Sequence, residues 1–194
     1  MSKLKIDMDS YKKFFHSENG LALMTQIIES GDYSTTKAIA KWEKCPSNVL
    51  NKIVAEYTVV REDSSMIVDS LNMLEQVADN PKISVKTLER ILEFVLGFLD
   101  DYSNACDVLE EIAESKKLTA DIAERLYKVA VDNNLDDVVE ELGENKNTPD
   151  EILFNIIDTF GGDLDIYKAA SIYKAASEEI IRRYRKIKEE SSEE

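Results

Sequence analysis

The chain has 194 residues, 43% of them hydrophobic, enough for one or two globular domains with a real core. Its 39 acids against 24 bases give a net charge of −15, which opposes binding to nucleic acid or anionic membrane and favours basic partners. No run approaches the roughly 18–20 apolar residues of a membrane span, and six Gly with three Pro leave little material for a many-turned β protein.

The opening MSKLKIDMDSYKK lacks the apolar stretch of a secretory signal, so a cytoplasmic protein is expected. Residues 1–17, with Tyr11, Phe14 and Phe15, are expected to form an N-terminal cap segment. From residue 18 helical periodicity dominates. Met24–Ser30, followed by Ser34, reads as a first helical unit, and Lys44-Cys45-Pro46-Ser47 as a boundary; whether 48–60 opens or closes a helix pair stays open. Arg61–Ser64 is a short loop. Between 85 and 99, Leu88, Ile91, Leu92, Val95 and Leu99 mark a buried stripe that Phe94, Leu96 and Phe98 widen, which predicts the most buried helix. Ala105, Val108, Leu109, Ile112 and Ala113 keep the i, i+3, i+4, i+7, i+8 spacing of one buried face. Ile122, Ala123, Leu126, Tyr127 and Ala130 repeat it, as do Ile152, Leu153, Ile156, Ile157 and Phe160. Gly161-Gly162 is a turn, a helix with Tyr167 and Tyr173 follows, and Ser177 opens a last helix whose Glu178 and Glu179 precede Arg182, Arg183, Arg185, Lys186 and Lys188. That order complements the helix macrodipole. Residues 189–194 are expected to form a disordered acidic tail.

These helices recur in a fixed order. Leu74-Glu75-Gln76-Val77-Ala78-Asp79-Asn80 parallels Leu109-Glu110-Glu111-Ile112-Ala113-Glu114-Ser115, and both parallel Val139-Glu140-Glu141-Leu142-Gly143-Glu144-Asn145. A hydroxyl suited to start the next helix follows each: Ser84, Thr119 and Thr148, spaced 35 and then 29 residues apart. Pro149 stands directly after Thr148, where its missing N–H costs nothing. Units of this size bury their apolar faces only by stacking. The expected fold is therefore all-α: an α-solenoid of about four to five stacked helix pairs over residues 18–188, with a single irregular helical bundle as the competing architecture.

The heptapeptide, its following turn such as Pro81-Lys82-Ile83-Ser84, and the leucine-bearing helix after it resemble the leucine-rich variant repeat of the HEAT-like α-solenoids over roughly residues 20–160. The resemblance implies a right-handed solenoid and a binding role. One member type carries an iron–sulfur cluster in an N-terminal cysteine group, which this chain lacks.

The charge is concentrated. Residues 100–165 hold 19 acids and 5 bases, a net −14, against −2 for residues 1–99 and +1 for 166–194. The carboxylates stand opposite the apolar stripes, and three- and four-residue spacings put Asp137, Glu140, Glu141 and Glu144 on one helix surface. The candidate partner-binding residues are Asp136, Asp137, Glu140, Glu141 and Glu144, then Glu110, Glu111 and Glu114.

Catalytic material is sparse. His16 is the only histidine, no Gly-rich phosphate loop is present, and Cys45 and Cys106 are too few for a disulfide scaffold or thiolate metal site. Both cysteines and Trp42 are expected to pack as core residues. No cofactor, no metal and no enzymatic activity are expected. The expected function is a protein–protein interaction module that binds a basic partner through its acidic face. The alternatives are an acidic nucleic-acid mimic, of the kind phages encode, that inhibits a nucleic-acid-binding enzyme or defence system, and a structural subunit that self-assembles.

Overall fold

The computed structural model describes residues 17–59, 63–160 and Arg182. Every regular element among them is helical. Nine α-helices run in the order α1 (Glu18–Glu29), α2 (Tyr33–Ala40), α3 (Ser47–Tyr57), α4 (Ser64–Ala78), α5 (Val85–Val95), α6 (Asn104–Glu114), α7 (Ala120–Asn133), α8 (Asp136–Glu144) and α9 (Asp150–Phe160), with a single 3-10 turn at Leu96–Phe98 after α5. None is long and apolar enough to cross a membrane. The expected cap segment before Ser17, the Gly161-Gly162 turn, the helix with Tyr167 and Tyr173, the last helix apart from Arg182, and the acidic tail lie outside the described residues, as does His16.

Periodicity places the core where the sequence predicts. Ala105, Val108, Leu109, Ile112 and Ala113 are all fully buried on α6, and Ile122, Ala123, Leu126 and Ala130 are buried on α7. Trp42 and Cys45 are buried, and Cys106 is half-buried at the edge of its stripe. Each helix packs against its neighbour in sequence. The even-numbered helices also pack in succession, α2 on α4, α4 on α6 and α6 on α8, while α1 packs on α3, α3 on α5 and α7 on α9. Helix α3, which covers most of residues 48–60, packs on α1, α2, α4 and α5.

Side-chain oxygens start several helices by accepting a free first-turn N–H. Ser17 accepts from Gly20 at 3.2 Å, Asp32 from Thr35 at 3.1 Å, Asp63 from Ser65 at 2.9 Å, Ser84 from Thr87 at 3.1 Å, and Thr119 from Ile122 at 3.4 Å. Helix α7 ends on Asn134 at φ 55, a left-handed conformation asparagine tolerates. Leu135 N–H then bonds back to the Ala130 carbonyl at 2.9 Å, so α8 begins within two residues.

One turn closes all four even-numbered helices. The N–H groups of Cys45, Ile83, Leu118 and Thr148 donate to the carbonyls of Trp42, Asn80, Ser115 and Asn145 at 2.7–3.0 Å, and all four donor residues are buried. The next residue starts the following helix: Pro46, Ser84, Thr119 and Pro149 all offer their carbonyls to its first turn. Two sequence expectations are corrected by this alignment. Thr148 does not start α9; it occupies the position of Ile83 and Leu118, and its hydroxyl donates to the Leu142 carbonyl at 2.7 Å, leaving the start to Pro149. The first copy of the heptapeptide is not Met24–Ser30, which closes α1, but Thr36–Trp42 at the end of α2 and into its turn, whose Ile39-Ala40 matches Val77-Ala78.

The stretch 85–99 also differs from expectation. The α-helix ends at Val95, and Phe94, Leu96, Phe98 and Leu99 are half-buried. Phe94 stands off the stripe of Leu88, Ile91, Leu92 and Val95 within the α-helix itself, and the ring of Phe98 on the 3-10 turn meets it tilted at 4.8 Å between centroids and meets Tyr102 edge-on at 6.0 Å.

Candidate functional site

The repeated heptapeptide carries its acids at fixed positions, and packing of α4 on α6 and α6 on α8 brings those positions side by side. Glu75, Glu110 and Glu140 are equivalent, as are Gln76, Glu111 and Glu141, and Asp79, Glu114 and Glu144. The first two sets are half-buried between helices; the third is exposed at the helix ends. The apolar residues that space them, Leu74, Val77, Leu109, Ile112, Val139 and Leu142, are fully buried, so the carboxylates are held on a rigid core rather than on loops.

Proximity shows in their proton affinities. Glu111 is pushed up to about 7, first by burial and then by the charges of Asp79, Glu114, Glu75 and Glu110. Glu141 is also pushed up to about 7, by burial and by Glu114, Glu144, Glu140 and Glu110. Burial raises Glu110 as well, followed by Asp137, Asp107 and Glu114. Among the described residues, the charges acting on these three are negative. The two ion pairs between helices among the described residues, Lys52 with Glu29 at 2.8 Å and Arg125 with Glu93 at 2.7 Å, lie on the odd-numbered helices and neutralise none of the band.

Seven of the eight candidate residues thus meet in one electrostatic cluster: Glu110, Glu111 and Glu114 on α6 with Asp137, Glu140, Glu141 and Glu144 on α8. Asp136 is exposed in the first turn of α8 and is not among the charges that act on Glu110, Glu111 or Glu141. A carboxylate there complements the positive end of its own helix. The structure adds Glu75 and Asp79 on α4 and Asp107 on α6, which the sequence reading left out. The signal for the first two was present, since they stand at the heptapeptide positions of Glu110 and Glu114.

A groove of about 410 Å³ crosses the turns after α2, α4 and α6. Glu43, Asp79, Glu111 and Glu114 line it together with Lys41, Lys116 and Lys117, so acids of the band and bases share this groove. The thiols offer little reactivity. Burial drives Cys45 up to about 12, and burial with Glu110, Asp107 and Asp137 raises Cys106, which disfavours the nucleophilic thiolate in both.

No family model matches the chain, and no curated protein or solved structure matches it.

Proposed function

We propose that this protein is a non-enzymatic, cytoplasmic interaction module: an α-solenoid of the leucine-rich-variant or HEAT-like kind whose acidic face binds a basic protein surface. Helices α2 with α3, α4 with α5, α6 with α7, and α8 with α9 would be its stacked pairs, preceded by α1. Support for that architecture comes from the packing of even-numbered helices in succession and from the turn shared by all four. The free thiols of Cys45 and Cys106 suit a reducing compartment.

The observation that carries the functional reading is the like-charged band itself. Acids from α4, α6 and α8 stand together on a rigid scaffold, and two of them are driven to about 7 by burial and by negative neighbours among the described residues. Such an arrangement costs folding free energy, and a partner's Lys and Arg would relieve that cost while steering association. Charge-assisted contacts to half-buried carboxylates would then fix the register.

Affinity capture from the native host on the immobilised chain, followed by mass spectrometry, tests the reading. Captured proteins are expected to be basic, to elute at raised salt, and to disappear when Asp137, Glu140, Glu141 and Glu144 are all changed to Lys. Undiminished capture and unchanged salt dependence in that variant would refute it. Competition between the chain and DNA or RNA for the captured target would identify the nucleic-acid mimic instead.

A further inference from the structure

Two of the three steps between successive turns are stapled by a buried asparagine amide. Asn80, after α4, donates both hydrogens of its Nδ2 to the carbonyls of Ala40 and Trp42, at 2.6 and 3.0 Å, and its Oδ1 accepts from Lys82 N–H at 3.0 Å. Asn145, after α8, does the same to the turn after α6. It donates to Ala113 and Ser115 at 2.5 and 2.9 Å and accepts from Asn147 N–H at 2.9 Å. Asn147 adds a further tie, its Nδ2 donating to the Lys116 carbonyl at 3.0 Å.

The step between the turns after α4 and α6 has no staple. Ser115 stands at the asparagine position, and its hydroxyl, one bond short of an amide nitrogen, stays within its own turn, accepting from Lys117 N–H at 3.3 Å. The groove opens here, with Asn80 and Ser115 both lining it. The odd-numbered helices are loosest at the same step. Helix α1 packs on α3, α3 on α5 and α7 on α9, but α7 meets α5 more thinly than at any of these steps. An ion pair open to water, Arg125 with Glu93 at 2.7 Å, joins α7 to α5, a contact of small energetic weight. The connection from α5 to α6, residues 96–103, is also the longest between consecutive helices among the described residues.

We infer that the helices form two blocks, α1–α5 and α6–α9, and that the molecule flexes between them, hinging on the contact of α4 with α6. That contact is what holds the joint: Leu74 and Leu109 are fully buried, and Asn104 Nδ2, at the start of α6, donates to Asn72 Oδ1 on α4 at 3.0 Å. A tilt about it changes the groove and the α5–α7 approach while the core stays covered, which is how packed helices move as rigid bodies. Repulsion does not distinguish this joint from the next. Asp79 and Glu75 of α4 act on Glu111, and Glu114 and Glu110 of α6 act likewise on Glu141, yet only the second step carries an amide staple. The acidic band crosses the hinge, with Glu75 and Asp79 in one block and Glu110, Glu111 and Glu114 in the other, so flexing resets the spacing of its carboxylates. The inference stands on hydrogen bonds and packing and does not depend on the basic-partner reading.

The test is a set of backbone N–H residual dipolar couplings from the full chain in a weakly aligning medium, fitted block by block. Helices α2–α5 and α6–α9 are expected to align to different degrees. The mismatch should be at least about twofold larger than that between α2–α3 and α4–α5, or between α6–α7 and α8–α9, where a staple is present. Ser115→Asn supplies the missing amide to the carbonyls of Ala78 and Asn80. The geometry is that of the existing staples: Ala40 and Ala113 are as buried as Ala78, and the Trp42 and Ser115 carbonyls, like that of Asn80, also accept a turn N–H. That variant is expected to bring both blocks to one alignment and to raise the folding equilibrium constant about tenfold. Ser115→Ala, which adds no staple, is expected to keep the mismatch. Asn145→Ser, which removes the staple between the turns after α6 and α8, is expected to create a second mismatch there, and it carries the test if Ser115→Asn folds poorly. One alignment for both blocks in the parent chain, an equal mismatch at a stapled step, a mismatch that survives Ser115→Asn, or none created by Asn145→Ser would overturn the hinge.

Discussion

At the scale of single residues, Asn80 and Asn145 do what no apolar residue at their positions could. Each is buried, and each satisfies two carbonyls of the preceding turn as well as one N–H of its own. Removing such a side chain leaves buried acceptors unpaired, at a cost of about 1–3 kcal/mol. Asn80→Ala is therefore expected to lower unfolding free energy by about 2 kcal/mol in urea denaturation. Asn80→Asp is expected to cost more, because an anion of the same shape has no hydrogen to donate and faces two carbonyl oxygens. If the aspartate variant were as stable as the parent, the amide bonds would contribute nothing. Thr36 shows the opposite case: fully buried on α2, its Oγ1 has no hydrogen-bond partner among the described residues, and it stands where α4 and α6 have Leu74 and Leu109. Thr36→Val, which keeps the shape and removes the unsatisfied hydroxyl, is expected to raise the melting temperature by a few degrees, corresponding to about 1 kcal/mol.

Single helices add a second set of expectations. Ser84 and Thr119 each accept a first-turn N–H, whereas Ser103, before α6, is in a right-handed helical conformation and makes no such bond. Ser84→Ala and Thr119→Ala should each cost about 1 kcal/mol of stability, and Ser103→Ala a few tenths at most; comparable losses at all three would mean that the caps do not act through those bonds. The same elements show how much the sequence conveyed. The buried face of α6, that of α7 apart from the half-buried Tyr127, and Ile152, Leu153 and Ile156 of α9 follow from spacing alone, because an apolar stripe at helical period has only one way to be covered; the side chains of Ile157 and Phe160 lie outside those described. The starts at Ser84 and Thr119 were equally legible, since a hydroxyl before such a stripe has a direct mechanical role. Thr148 misled for the same reason: a hydroxyl beside a proline looks like a cap, and only the backbone shows that Pro149 holds that position. Thr36–Trp42 escaped notice because it shares with the other heptapeptides only Ile39-Ala40, the pair that packs, and none of their acids. Of the site, Glu110, Glu111 and the α8 acids were read from charge density. Glu75 and Asp79 were not, because α4 lies outside the acidic third and their role arises only when α4 packs on α6.

Over the whole molecule, the balance of charge sets how stability responds to pH. Glu111 and Glu141 bind their protons at about 7 in the folded chain against an ordinary value of 4.5. Between these values the folded state therefore holds protons that the unfolded chain has released. A group raised in this way stabilises the fold while it is protonated, so stability is lost as pH climbs from about 4.5 to 7, and the cost is fully present above 7. Asp32 and Asp63 act in the opposite sense. Their bonds to Thr35 and Ser65 lower them below 3.8, so their contribution is constant above that value and fades only in stronger acid. From about pH 8 to pH 5.5, then, the shifted groups act in one direction: the melting temperature is expected to rise on acidification. Because Glu111 and Glu141 are half open to water, screening makes the rise smaller than the shifts alone imply, and added salt at pH 8 should reproduce part of it. The double variant Glu111→Gln and Glu141→Gln should melt higher than the parent at pH 8 and lose most of the pH dependence. A melting temperature that falls on acidification, or a double variant that tracks the parent across the whole range, would show that repulsion within the band does not oppose folding, and would remove the energetic reason for a basic partner to be drawn to it.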